Sequence, residues 1–193
     1  MASAPVRTPA TYADILALPR HVNGQIVDGE LFATPRPANP HAMASSTLGM
    51  DLGAAFQRGR GGPGGWWIVD EPELHLGRNI LIPDLAGWRR SRLPAIPAEA
   101  FFTLAPDWIC EILSPSTASF DRVKKMRVFA AEGVGHAWLV DPAAQTLEVY
   151  RLEDEHWVLL SAHEGTETVR AEPFEELEIA LRDLWIEPIE PAP

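Results

Sequence analysis

Two acidic residues stand alone inside apolar runs. Glu111 interrupts Trp108-Ile109-Cys110-Glu111-Ile112-Leu113, and twenty-seven residues earlier Asp84 lies within Ile80-Leu81-Ile82-Pro83-Asp84-Leu85-Ala86-Gly87-Trp88. Burying an ionised carboxylate is costly unless a cation or hydrogen-bond donors compensate it. Two apolar strands with one acid each therefore suggest a shared metal site. A lysine on the helix after the second strand completes the set needed to cleave a phosphodiester. Mg²⁺ prefers oxygen, keeps several waters and is usually held by one or two carboxylates plus substrate phosphate oxygens. It activates bound water and polarises the phosphoryl oxygen, while a nearby ammonium offsets developing charge.

Each candidate has a plainer reading. Asp121 lies four residues before Lys125, so the two could be an exposed helical ion pair without catalysis. Lys124 reads as the solvated neighbour, although a shift in helix phase would exchange the two. Glu71 and Glu73 could complete the site or be ordinary strand-edge acids. His41 reads as a loop histidine at a helix start, with a phosphate or substrate contact as its alternative.

The elements that must position these residues are legible from periodicity and turn residues. A mobile arm over 1–10 is expected to end where Thr11 caps a short helix over 11–18, with Asp14 in its first turn. Asp28-Gly29 between apolar pairs predicts a hairpin within 25–32. An apolar face of Met43, Leu48, Leu52, Ala55 and Phe56 predicts a helix over 41–57. Arg58-Gly59-Arg60-Gly61-Gly62-Pro63-Gly64-Gly65 cannot be regular structure. It reads as a flexible connector, or as a basic loop tracking a phosphate backbone, and it lacks the pattern of a P-loop.

Strands at 66–69, 74–76 and 80–88 suggest an antiparallel meander, followed by a second basic cluster of Arg89, Arg90 and Arg92. After the Glu111 strand, Ser114-Pro115 ends the ladder and a helix over 119–132 follows, its apolar side formed by Val123, Met126, Phe129 and Ala130. Arg122, Lys124, Lys125 and Arg127 make it the most basic element. The apolar strand 136–141 then closes a βαβ unit. Further strands at 146–152, 157–161 and 166–169, then a strand or helix over 174–185, read as an antiparallel extension completing the sheet. The fold class is α/β: a mixed central sheet flanked by helices, as one domain over 11–186 with a disordered tail at 187–193.

The chain has 193 residues, a formal net charge of −11 and a single cysteine. Cys110 has no disulfide or zinc partner and reads as core. The acidic balance argues against a broad electropositive face, so a nucleic-acid role must rest on a local basic patch and on metal ions. No membrane span or signal peptide is evident, which points to the cytoplasm.

The ordered motifs Ile82-Pro83-Asp84, Asp107-x-x-x-Glu111-x-Leu113-Ser114-Pro115-Ser116-Thr117, Asp121-x-x-x-Lys125 and Gly133-Val134-x-x-x-Trp138-Leu139-Val140-Asp141-Pro142 carry a specific likeness. Over about 11–185 the chain resembles the prokaryotic putative restriction endonuclease family, a branch of the PD-(D/E)XK nuclease superfamily. The resemblance implies a restriction-endonuclease-like core, an Mg²⁺- or Mn²⁺-dependent endonuclease acting on DNA, Asp84 and Glu111 as metal ligands, and Lys125 as the catalytic lysine. Members often carry a glutamate near the first hairpin. This chain has Gln25 there, whose amide oxygen can still bind a metal but adds no charge. Two alternatives remain: a catalytically impaired binding module, with exposed tryptophans as its partner surface, and a sugar hydrolase using paired carboxylates. A homodimer would suit cleavage of both DNA strands.

Overall fold

The computed structural model describes residues 8–35 and 38–186. The expected tail at 187–193 and most of the expected arm at 1–10 lie outside the described residues; Ala10 is held to the hairpin turn by a hydrogen bond to the Gly29 carbonyl. In chain order the elements are α1 (Tyr12–Leu16), β1 (Val22–Val27), β2 (Glu30–Pro35), α2 (Asn39–Leu52), a π-helical continuation over Gly53–Gln57, β3 (Trp66–Asp70), β4 (Leu74–Leu76), β5 (Asn79–Leu81), β6 (Leu85–Arg89) and β7 (Trp108–Ile112). A π-helical turn over Phe120–Lys125 then runs into α3 (Met126–Ala131). The chain continues with β8 (His136–Asp141), β9 (Thr146–Glu153), β10 (His156–Glu164), β11 (Thr168–Val169), β12 (Ile179–Ala180) and a 3₁₀ turn over Leu181–Leu184.

A six-stranded sheet, ordered β10-β9-β8-β7-β6-β3, forms the centre. Its β7–β8 pair is parallel and joined through the α3 crossover, whereas the other pairs are antiparallel. This is the mixed α/β sheet the sequence predicts. Side-chain alternation along β7 sends Trp108, Cys110 and Ile112 into the core under α2, while Ile109 shares the α3 face with Leu113. Glu111 falls on that second face. Cys110 is fully buried, as its bland reading expects.

Three sequence expectations require correction. The run 80–88 is not one strand: it breaks at Ile82-Pro83-Asp84, where proline cannot donate to a ladder. Its first part, β5, joins a separate sheet ordered β2-β1-β5-β4, and its second part, β6, pairs with β3. The meander is therefore two nested hairpins divided between two sheets, and Asp84 stands at the bend between them rather than on a strand. Only β9 and β10 extend the central sheet; Thr168–Val169 pairs with Ile179–Ala180 in a ladder of its own. Finally, Met43 and Val123, assigned to apolar helix faces, are 52% and 65% exposed. Around Val123 the wider π-type turn, closed by the Met126 N–H on the Asp121 carbonyl, changes the helix phase and turns Asp121 and Lys125 inward instead.

Phe174 packs against Phe56, Trp66, Trp108 and Trp138, with ring centroids 4.6, 4.8, 5.0 and 5.6 Å away. Its Phe174→Ala variant should lose about 3–5 kcal/mol of stability. Urea unfolding checks this, and a change below about 1 kcal/mol would show that the cluster is not a cohesive part of the core.

Candidate active site

Residue by residue, the site grows out of the end of β7 and the bend before β6. Leu85 pairs with Cys110, and the same antiparallel register continued by one residue sets Asp84 opposite Glu111. Asp84 Oδ2 accepts a 2.6 Å hydrogen bond from the Ile112 N–H, which fixes the bend against the strand end. The two acids singled out by sequence are thus brought together, although one comes from a loop.

Glu111 is 1% exposed, and its Oε2 accepts a 2.6 Å hydrogen bond from Lys125 Nζ. The same ammonium donates to the Ile82 carbonyl at 3.0 Å and lies 3.5 Å from Asp121 Oδ1. Lys125 and Asp121 are therefore not an exposed helical pair; both are buried. Lys124 points elsewhere, to Glu30 Oε2 at 3.0 Å and over the Phe32 ring, so helix phase selects Lys125.

His41 lies at the start of a helix, as the sequence predicts, but it is more than a loop histidine: its Nε2 is 3.1 Å from Asp84 Oδ1. Sequence reasoning missed it as a site residue because its partner is more than forty residues away, across a loop. Asp121 was also missed, though its four-residue spacing from Lys125 was the available signal. Gln25 lines the same pocket, and its Oε1 already accepts a hydrogen bond from the Ile82 N–H at 2.9 Å. Glu71 reaches the pocket wall, whereas Glu73 turns away to His75 at 2.6 Å. The pocket encloses about 300 Å³ and is lined by Asp84, Glu111 and Lys125 among others.

Charge in the pocket is unbalanced. Three carboxylates, Asp84, Glu111 and Asp121, surround the Lys125 ammonium. Burial pushes the Glu111 carboxyl well above the usual carboxylate range; Lys125 pulls it down, while Asp121 and Asp84 push it further up. Asp121 is raised for the same first reason, burial. Burial works against the Lys125 charge, but Glu111, Asp121 and Asp84 outweigh it and leave the ammonium harder to deprotonate. Burial also opposes the His41 charge, and Asp84 overcomes it to raise that pKa. The stable arrangement is a charged lysine beside Glu111 and Asp121, whose ionisation burial disfavours.

That deficit of positive charge, and one atom, bear on metal binding. Glu111 Oε1 is buried and has no hydrogen-bond partner. Each carboxylate oxygen has lone pairs beyond those used by His41, Ile112 and Lys125. Among the described residues no three His, Cys, Asp or Glu side chains form a ready ligand cluster. The donor set therefore does not suit a structural zinc, but it fits a hard cation that takes one or two carboxylates and keeps its waters.

Comparison with known proteins bears on the family and the fold. A family model described as Uma2, putative restriction endonuclease, matches residues 10–182. Among solved structures, a putative nuclease of the DUF820 group from Anabaena variabilis superposes with a TM-score of 0.73 at 25% identity, covering 91% of this chain and 97% of that one. A search of curated proteins found no match.

Lys125→Met leaves the carboxylates without their cation and should cost the metal-free protein about 3–5 kcal/mol at neutral pH. Glu111→Gln removes a charge that burial already disfavours and should cost much less. Because the Glu111 and Asp121 pKa values are raised, the folded state keeps protons that the unfolded chain releases. The resulting stability is complete below the unfolded carboxylate values and is lost as pH rises through the folded ones, so the Lys125→Met deficit should shrink on acidification towards about pH 4. Denaturant titrations in EDTA measure both effects, and a neutral-pH midpoint for Lys125→Met equal to wild type would contradict them.

Proposed function

The chain belongs to the Uma2 family, described as putative restriction endonuclease, and we propose that it is an endonuclease hydrolysing DNA phosphodiester bonds, with Mg²⁺ or Mn²⁺ held by Asp84 and Glu111. The observation that carries the reading is Glu111 itself: a fully buried carboxylate with one oxygen on Lys125 and the other left without a partner. The remaining lone pair of the Gln25 amide oxygen is a neutral supplementary ligand. When bound, the cation would acidify a water and polarise a phosphoryl oxygen.

The chain's own residues supply the rest. Lys125 holds a fixed positive charge beside the scissile phosphate, where it orients the nucleophile and offsets charge that develops on the phosphoryl oxygens. Asp121 and the Ile82 carbonyl hold that ammonium in place. His41 and the Ile112 N–H fix the Asp84 carboxylate from opposite oxygens, so little reorganisation is left for the reaction. Cleavage of both strands is assigned to two copies of the chain acting together.

A second reading, a nuclease-fold binding module, is favoured by Gln25, which supplies no charge and already holds Ile82. Its proposed tryptophan surface does not exist among the described residues: Trp66, Trp88, Trp108, Trp138 and Trp185 are buried, and Trp67 and Trp157 are partly buried.

Nicking of plasmid DNA in Mg²⁺ or Mn²⁺ should fall by at least about 10²-fold in Asp84→Ala, Glu111→Ala and Lys125→Met. Calorimetric titration should show Mg²⁺ binding in the wild type and its loss in Glu111→Ala. Wild-type nicking by the Glu111→Ala protein would overturn the assignment; a wild type that neither binds metal nor nicks DNA would establish the binding module.

A further inference from the structure

The cations of this acidic chain are unevenly used. On the helical segment after β7, Arg122 meets Glu148, Lys124 meets Glu30, Lys125 meets Glu111, and Arg127 meets Asp28. The element that sequence marks as most basic is thereby neutralised. Arg78, Arg92, Arg151 and Arg170 are paired as well. Among the described residues, the arginines without an ion pair are Arg20, Arg58, Arg60, Arg89, Arg90 and Arg182.

The loop that carries Arg58 and Arg60 and the turn that carries Arg89 and Arg90 meet through Arg90, although they belong to two separate sequence clusters. The Arg90 N–H donates to the Gly65 carbonyl at 2.9 Å, and its guanidinium donates to the Gln57 carbonyl at 2.8 Å and the Trp66 carbonyl at 3.2 Å. The Arg89 guanidinium lies 4.4 Å from the Trp66 ring centroid, and that of Arg90 lies 4.0 Å from Trp67. Stacking on an indole orients a guanidinium without neutralising it.

The glycine-rich run is not the flexible connector its composition suggests. The Arg60 N–H bonds the Ala54 carbonyl at 2.8 Å, and the Gly64 N–H bonds that of Ala55 at 3.0 Å. A Cβ at Gly62 would stand 2.7 Å from the Ala55 side chain, so the loop can close on the helix end only with glycine there. Arg58 and Arg60 are exposed on this fastened loop.

A groove of about 630 Å³, lined also by Asp70 and Glu71, leads from the His41 end of the candidate active site to Arg58. It runs past His41 and Gly49 to Gly53 and Arg58. Five residues along β6 separate Asp84 from Arg89, a span of roughly 17 Å at ~3.4 Å per residue.

We propose that Arg58, Arg60, Arg89 and Arg90 form the docking surface for the phosphate backbone of duplex DNA, flanking the cleavage site. On a chain of net charge −11, a polyanion is held where unpaired cations concentrate. The inference rests on the endonuclease reading for the position of the scissile phosphate, but binding tests it without turnover.

The measurement is affinity for a short fluorescent duplex in EDTA over a salt series, using the full chain. The Arg58→Gln/Arg60→Gln protein should bind about tenfold more weakly, and its log K against log salt slope should fall by about 2, at ~0.9 per lost phosphate contact. Arg58→Lys/Arg60→Lys should retain the slope, and Arg122→Gln, whose charge is already paired, should leave it unchanged. A wild-type slope in the double glutamine variant, or no salt-dependent affinity in the wild type, overturns the docking surface. Hydrolysis of a dinucleotide diester with Mn²⁺ reads the pocket separately. Slope loss without diester hydrolysis in the wild type removes the endonuclease reading and leaves the docking surface standing; diester hydrolysis without slope loss does the reverse.

Discussion

A lysine buried against a glutamate organises this molecule. Placing Lys125 and Glu111 out of water carries a desolvation penalty that a single contact repays only with good geometry and further hydrogen bonds. Here the ammonium has three acceptors, Glu111, Asp121 and the Ile82 carbonyl. Those partners come from β7, from the helical segment that carries the lysine, and from the bend before β6. The pair therefore ties the parallel crossover to the junction between the two sheets. It is also the reason that the π-type turn at Phe120–Lys125 matters: without it, Val123 would lie nearer the interior and Lys125 would not.

The same pair explains why the acids next to it are incompletely satisfied. One ammonium cannot balance Asp84, Glu111 and Asp121 together, and burial denies Glu111 and Asp121 solvent. A pocket with surplus negative charge and an oxygen without a partner is poorly suited to a neutral or anionic ligand. It is well suited to a small divalent cation, which would in turn give a phosphate a place beside three carboxylates. The surrounding core supports this by being rigid. Phe174, Trp108 and Trp138 fill the face behind β7, so the strand that carries Glu111 is fixed by packing on one side and by charge on the other.

Surface electrostatics follow a complementary logic. Among the described residues, most positive side chains pair with neighbouring acids, including those of the helix that sequence alone would nominate for nucleic acid. Among the described residues, four of the six arginines without an ion pair lie instead on the glycine-rich loop and the turn after β6, where backbone hydrogen bonds and indole faces hold them. Net charge is thus a poor guide to the local field of this protein, because field strength depends on which cations remain unpaired.

The sequence by itself determined a good deal. Asp84 and Glu111 were visible because an acid inside an apolar run needs a compensating partner, and the Asp28-Gly29 hairpin, the crossover at 119–141 and the buried Cys110 were visible because turn chemistry and side-chain period are local properties. What only the tertiary structure decided depends on distance in space. It divided the run 80–88 between two sheets, chose Lys125 over Lys124 through helix phase, brought His41 to Asp84, and joined two arginine clusters while neutralising a third. None of these is encoded in a short window, because each depends on which distant backbone or side chain reaches a given atom first.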